Sequence, residues 1–137
     1  MKKLSRRLFL GNSAKFSIAG FFGLMPATDR GKHSKKGKLV HHVFFWLKNP
    51  ASAADKAKLI EGLSTLKAIK AVQMLRIGEP ASTNRDVIDR GYQVSELMFF
   101  DSLEDQEVYQ KHPIHLKFVE NYAHLWEKVV VYDSVDV

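Results

Sequence analysis

The apolar residues after position 38 are spaced in two ways, and the two spacings alternate along the chain. Short runs rich in β-branched and aromatic residues predict four strands, at 39–47, 72–78, 92–100 and 128–135. Between the first two runs, aliphatic residues recur every three or four positions, at Leu59, Leu63, Leu66 and Ile69. That spacing predicts a helix with one buried face.

The helices are delimited by polar residues and prolines. Ser52, with Asp55 three positions later, predicts a capped start for the first helix, which reaches about Lys70. A second helical pattern starts at Asp101 or Ser102, breaks at Pro113 and resumes to about Trp126. The polar stretch 80–89 connects the second and third strands as a loop.

The order strand, helix, strand, strand, helix, strand predicts an α+β, ferredoxin-like βαββαβ fold with an antiparallel sheet and both helices on one face. Alternation places His42 with Val40, Phe44 and Trp46 on one face of the first strand, and His41 with Val43, Phe45 and Leu47 on the other. Both faces are largely apolar, and one helical layer covers only one of them. We therefore expect a homodimer in which two sheets close a dimeric α/β barrel.

The distribution of charge divides the chain. The formal charge is +6, but ten of the 21 basic residues precede position 39, accompanied by a single acid, Asp29. From position 39 onward the net charge is −3. The folded part is therefore mildly acidic, which gives no case for a nucleic-acid surface. The chain has no cysteine, which excludes disulfides and thiolate metal sites and leaves the compartment open.

The first 27 residues form a leader. Ser5, the pair Arg6 and Arg7, and Phe9 precede a short apolar stretch, a pattern that resembles a twin-arginine export signal. An ordinary signal peptide or a membrane tether is the alternative. The polar, basic stretch 28–38 reads as a flexible linker, and 39–137 as the folded domain. The expected location is periplasmic or extracellular, with membrane contact only through an uncleaved leader.

The stretch 109–115 carries the most concentrated polar chemistry. Pro113 is suited to a first helical position, which puts His115 in the first turn of a new helix. The positive potential there favours a neutral imidazole, the form that acts as a base. Tyr109 ends the preceding helix and can lie near it. The alternative is that both residues only pack, with their polar tips satisfied.

These residues resemble the stress-responsive α/β-barrel domain family, Dabb, over 39–133. The resemblance is carried by His42-Val43, Leu47-Lys48, Gly91-Tyr92, Phe100-Asp101-Ser102, Tyr109, His112-Pro113-Ile114-His115, Trp126-Glu127-Lys128 and Tyr132-Asp133. The His-Pro-x-His block after a tyrosine is its specific part. The family implies a dimeric α+β barrel, in agreement with the pattern of strands and helices.

The plant olivetolic-acid cyclase branch of this family, which closes a polyketide by aldol condensation, is similar in a sharper way. That resemblance implies His115 as a base and Tyr109 as the group that polarises a carbonyl. The residues expected to line the ligand pocket are His42, Phe44, Trp46, Val94, Glu96, Met98 and Trp126. Val94 stands where the cyclase has histidine, and Glu96 where it has an apolar residue. Glu96 is either a carboxylate at the pocket mouth or a ligand contact, and it could pair with His115 and raise its pKa.

Two functions follow. In the first, an exported homodimeric barrel binds a small apolar or aromatic molecule in its pocket without transforming it. In the second, a cofactor-free enzyme of the aldol type uses His115 and Tyr109, or, by analogy with sister barrels, the protein is a cofactor-free oxygenase. A stable dimer with a filled, dry interior is the remaining alternative. A metal site is not expected, because His41 and His42 point to opposite faces of their strand. No phosphate-binding glycine loop and no cofactor motif is found in the sequence.

Overall fold

The computed structural model describes residues 38–137. It contains four strands, β1 (Leu39–Leu47), β2 (Met74–Gly78), β3 (Val94–Phe100) and β4 (Trp126–Val135). Its helices are α1 (Ala53–Thr65), α2 (Leu103–Lys111) and α3 (Pro113–Tyr122), with short 3-10 turns at Leu66–Ala68 and Ala123–Leu125. The leader and most of the linker, 1–37, lie outside the described residues, so their assignment stays a prediction.

The strands form one antiparallel sheet in the order β2-β3-β1-β4. This arrangement, with the helices packed on one face, is the predicted ferredoxin-like α+β fold. In β1 the buried residues are Leu39, His41, Val43, Phe45 and Leu47, so the odd-numbered positions face the helices. In β3 the buried residues are Val94, Glu96, Met98 and Phe100. Val43 is the direct cross-strand neighbour of Glu96, which fixes which side chains share a face.

The strand ends differ from the sequence prediction by two residues in three places, and hydrogen bonds explain the differences. Val72 closes a turn by donating from its N–H to the carbonyl of Ile69, so β2 begins two residues later than predicted. The amide of Gln93 donates to Phe45, and its side chain accepts from Leu47, so 92 and 93 lead into β3. Trp126 pairs with Leu47 after a register shift, and β4 therefore starts earlier.

His112, at the break before Pro113, is both the C-cap of α2 and the N-cap of α3. It ends α2 in an extended conformation, and its ring nitrogen accepts a hydrogen bond from the backbone N–H of Ile114 at 3.1 Å. The imidazole thus replaces the usual serine or aspartate cap of a helix N-terminus. Pro113 at the first position of α3 has no N–H to satisfy. The change of direction brings the ends of α2 and α3 together over the sheet.

Close packing of α1 against α3 depends on a glycine. A Cβ on Gly62 would lie 2.7 Å from the ring of Tyr122, too close for any larger residue without movement of that ring. The helix-side core contains the fully buried leucines of α1, Leu59 and Leu63, and Phe118 of α3. This packing anchors α3 over the sheet. None of the helices within 38–137 is long and apolar enough to cross a membrane.

Candidate functional site

A cavity of about 140 Å³ lies on the helix side of the sheet, beneath α2 and α3. Its walls are mainly apolar, from Val43, Phe45, Phe118, Val119 and Trp126. Val129 and Val131 of β4 also line it and remain 38% and 46% exposed, so they form its rim. Four residues with polar chemistry, His41, Glu96, Tyr109 and His115, complete the lining together with Gln110.

Glu96 is a carboxyl group inside the core. It is 2% exposed, and it lies between Val43 of β1 and Ile77 of β2 in the sheet register. Its side chain forms a hydrogen bond with Tyr109, while Oε1 has no hydrogen-bond partner among the protein groups. Burial raises the pKa of Glu96 to about 8, and the bond from Tyr109 opposes this rise only in part. Glu96 is therefore mostly protonated at neutral pH.

Tyr109 connects the carboxyl group to the histidine of α3. It is 1% exposed, its phenol is bonded to Glu96, and its ring centroid lies 4.6 Å from that of His115. The ring also packs against Phe100 at 5.2 Å. Burial and the neighbouring Glu96 raise the pKa of Tyr109 well above its ordinary value. Tyr109 is thus a neutral hydrogen-bond donor throughout the ordinary pH range.

His115 has a defined tautomer, and its surroundings favour the neutral imidazole. Its Nδ1 lies 3.0 Å from the carbonyl oxygen of Gln110. A carbonyl only accepts, so Nδ1 carries the proton and Nε2 carries the free lone pair. Burial lowers the pKa of His115; the bond to Gln110 opposes this, and His41 contributes a smaller decrease. The neutral state matches the sequence prediction, but its main cause is burial.

His41 is the site residue that sequence reasoning missed. It is 4% exposed, and its Nδ1 donates to Asp133 of β4 at 2.6 Å. The amide of Gln106 in α2 donates to the other carboxylate oxygen of Asp133 at 3.0 Å. The ring of His41 lies 5.9 Å from that of Tyr109. His41 therefore links β1, β4 and α2 at the end of the cavity where the polar groups gather.

The residues predicted to line one pocket do not all lie at the same site in the structure. Glu96, Trp126, Tyr109 and His115 come together in the helix-side cavity. Val94 and Met98 share that face but are buried in the core and do not line the cavity. The grouping of His42, Phe44 and Trp46 with them was wrong, because these even-numbered positions of β1 lie on the opposite face. Period-2 alternation excludes a shared pocket.

Two of the possibilities considered for Glu96 from the sequence, the mouth position and the pairing with His115, need correction as well. It is not a carboxylate at the mouth that reaches water, because it is almost completely buried. It also does not raise the pKa of His115, which is lowered, and its hydrogen bond goes to Tyr109. At this site the carboxyl group of Glu96 is therefore paired with the phenol of Tyr109.

The opposite, helix-free face carries a cluster of aromatic residues. Phe44 lies in edge-to-face contact with Tyr92 at 4.8 Å and with Tyr132 at 6.0 Å. Together with Trp46 and Asp89 these residues line a second cavity of about 140 Å³. The ammonium group of Lys128 lies 4.4 Å from the ring centroid of Trp46. Tyr132 is 65% exposed, which leaves much of this aromatic surface open in one copy of the chain.

The side chains that commonly bind metal ions are not clustered in the described part of the chain. Within 38–137, no three histidine, aspartate or glutamate side chains are grouped so that they could hold an ion. The polar groups of the helix-side cavity are two imidazoles, a phenol and a carboxyl group, separated by aromatic rings. Groups of these types can transfer protons and donate hydrogen bonds.

A four-stranded antiparallel sheet with helices on one face and an acid–base cavity beneath them defines a ferredoxin-like α+β protein with a candidate ligand site. Residues 39–136 match the sequence model of the stress responsive A/B barrel domain, Dabb. The chain belongs to this family, as the motif resemblance indicated. A comparison with curated protein sequences found no significant match.

Three solved structures illustrate the fold. A Dabb family protein from Mesorhizobium loti is 24% identical, with a TM-score of 0.62, over 74% of this chain and 98% of that one. A dimeric ferredoxin-like protein of unknown function from Thermobifida fusca is 17% identical, with a TM-score of 0.62, over 74% and 93%. The hydroxynitrile lyase from Passiflora edulis is 22% identical, with a TM-score of 0.62, over 74% and 95%. At these levels of sequence identity, the similarity shows a shared fold and nothing more.

Proposed function

We propose that this protein binds a small apolar or aromatic molecule in the helix-side cavity. The observation that carries the proposal is the composition of the cavity, with apolar walls along most of its surface and Glu96, Tyr109 and His115 among its polar groups. Ligand sites commonly combine apolar walls with a few placed polar groups. The volume of about 140 Å³ is close to that of an apolar cavity known to hold benzene, roughly 150 Å³. The ligand is therefore a single ring with short substituents.

Binding of acetophenone, followed by isothermal titration calorimetry, tests this proposal. We expect Val131→Trp to weaken binding at least tenfold, because a large ring at the rim fills the cavity. Val135→Trp is the matched control, since Val135 is on the same face of β4, pairs with Leu39 and does not line the cavity. Equal binding to both variants, or no binding to the unmodified protein, would contradict the proposal.

We also propose that the helix-free face is covered by a second copy of the chain. One copy leaves the cluster of Phe44, Tyr92 and Tyr132 partly exposed, and contiguous apolar surface of this kind is typical of interfaces. The fold neighbour from Thermobifida fusca is described as dimeric.

Light scattering at micromolar concentration should show a dimer. We expect Phe44→Arg to shift the protein to monomer, because a charge is then placed in the centre of the aromatic cluster. Leu116→Arg is the control, as Leu116 is exposed on the outer surface of α3. A monomer for the unmodified protein would refute the barrel.

A second candidate function is cofactor-free proton transfer next to a carbonyl group, the chemistry of an aldol-type cyclase. The hydrogen bond from Nδ1 of His115 to Gln110 favours it, because this bond leaves Nε2 as a base in a cavity that also contains a phenol donor. A base and a hydrogen-bond donor are the two groups that enolate formation requires. One fold neighbour is named a hydroxynitrile lyase, so enzymes exist on this fold, although a fold alone does not assign an activity.

A further inference from the structure

Glu96 lines the helix-side cavity and has one unpartnered polar atom, Oε1. The residue lines the cavity and is 2% exposed, and no protein group bonds to this oxygen. Because Oε1 has no protein partner, we assign the hydrogen bond from Tyr109 to the other oxygen, Oε2. A buried polar atom without a partner is costly, and such atoms in native proteins call for an explanation. A ligand atom at this position would remove the cost.

We propose that Glu96 acts as a neutral acid whose Oε1–H donates a hydrogen bond to a carbonyl oxygen of the ligand. The proposal rests on the proposed binding function and names the ligand class, which is a small aryl ketone or aldehyde. Tyr109 donates to Oε2 and thereby leaves the proton of the acid on Oε1, facing the ligand. Glu96 would then set the specificity of the site for oxygen acceptors.

Burial is the main influence on the protonation of Glu96 and favours its neutral form, while the hydrogen bond from Tyr109 opposes it only in part. The titratable groups near it are Tyr109 from α2, His115 from α3, and His41 from β1, which is bonded to Asp133 of β4. The neighbouring strand β2 presents the apolar Ile77. Tyr109 and His115 are held neutral, and the single carboxylate of this group, Asp133, is already engaged by His41 and Gln106. No cation is bonded to Glu96 to stabilise its anion, and burial accordingly raises its pKa to about 8.

Two molecules of the same shape test the proposal. Acetophenone carries a carbonyl oxygen, and α-methylstyrene replaces that oxygen by a CH₂ group. We expect the unmodified protein to bind acetophenone roughly 3- to 10-fold more tightly than α-methylstyrene, the factor that one neutral hydrogen bond typically gives. In Glu96→Leu the two molecules should bind equally. In Glu96→Gln, which retains an N–H donor, the preference should persist.

A spectroscopic measurement identifies the bond directly. The infrared carbonyl band of ¹³C-labelled acetophenone should lie at lower wavenumber in the unmodified protein than in Glu96→Leu, because a donated hydrogen bond weakens the C=O bond. Raising the pH through about 8 should remove this shift as Glu96 ionises. The shift in Glu96→Gln should not depend on pH. Glu120→Gln, at an exposed position of α3, is the control and should behave as the unmodified protein does.

The possible outcomes separate the two proposals. If neither molecule binds, the binding function itself is refuted. If both bind with equal affinity and the carbonyl band is the same in Glu96→Leu, the cavity binds ligands but Glu96 is not a donor. If benzylamine binds more tightly than acetophenone, and increasingly so as Glu96 ionises, the acid recognises amines and the assignment to ketones is overturned.

Discussion

Glu96→Gln is expected to make the domain more stable than the unmodified protein at pH 8, while leaving it nearly unchanged at pH 5. The ordinary pKa of the carboxyl group is 4.5, and burial raises it to about 8 in the folded state. Between these two values the folded protein keeps a proton that the unfolded chain releases. Stability therefore falls as the pH rises from about 4.5 to about 8, and it is independent of this group above that range.

The size of the effect follows from the shift in pKa. The difference in pKa between the folded and unfolded states lowers the free energy of unfolding by roughly 3 kcal/mol between pH 5 and 8. Glutamine cannot ionise, so the variant avoids that loss. Urea unfolding of both proteins at pH 5, 6, 7 and 8 measures the difference. Glu120→Gln is the matched control, since this carboxyl group is exposed. Parallel stability profiles for the unmodified protein and Glu96→Gln would show that Glu96 does not retain its proton when the protein folds.

The sequence was sufficient to predict the order of elements, because each element carries its own local signals. The run 39–47 became β1 without change, and Ser52 caps α1 through the N–H of Asp55 as predicted. Pro113 starts α3 and positions His115 in its first turn. These features depend on interactions within a few residues, which composition and spacing determine.

The sequence could not show in the same way which face of β1 packs against the helices. In β1 both sets of alternating positions are apolar and each contains a histidine, so hydrophobicity gives no preference between them. Only the register, with Val43 opposite Glu96 and His41 opposite Asp133, shows which set lies under the helices. That register is a long-range property of the sheet. A signal for His41 was present in Gln106 and Asp133, but their proximity requires the folded sheet.

Glu96 shows a second limit of sequence reasoning. A lone glutamate in an apolar strand normally indicates an edge position or contact with water. Here the helices that pack over β3 bury the side chain of Glu96, and its partner Tyr109 comes from α2. The combination of a protonated carboxyl group, a phenol and a neutral histidine appears only when three separate elements meet. These three groups also determine the chemistry that the site can perform.

His115→Ala is expected to slow a proton-transfer reaction of this site by about 100- to 10,000-fold, the usual contribution of a general base. The suitable reaction is exchange of the methyl protons of acetophenone with deuterium, followed by proton NMR in heavy water. Nε2 of His115 would take a proton from the methyl carbon. The electrons of the broken C–H bond form the C=C bond of the enolate, and negative charge develops on the carbonyl oxygen. A deuteron taken up from the solvent then returns to carbon.

Two controls distinguish this role from a structural one. His124→Ala removes an exposed histidine and should leave the exchange rate unchanged. The melting temperature of His115→Ala should change little, whereas a histidine needed only for packing would lower it by several degrees without altering exchange in the folded fraction.

The dependence of the exchange rate on pH gives the strongest test of the roles of His115 and Glu96. Because burial lowers the pKa of His115, its base form should already dominate at neutral pH, and the rate should fall only below the ordinary histidine value of 6.5. If the neutral acid of Glu96 assists the same reaction, the rate should fall again as the pH rises through about 8. Glu96→Gln should then lose the alkaline limb and keep the acidic one. Exchange that is catalysed equally by the unmodified protein and His115→Ala would exclude His115 as the base and leave the cavity with a binding role only.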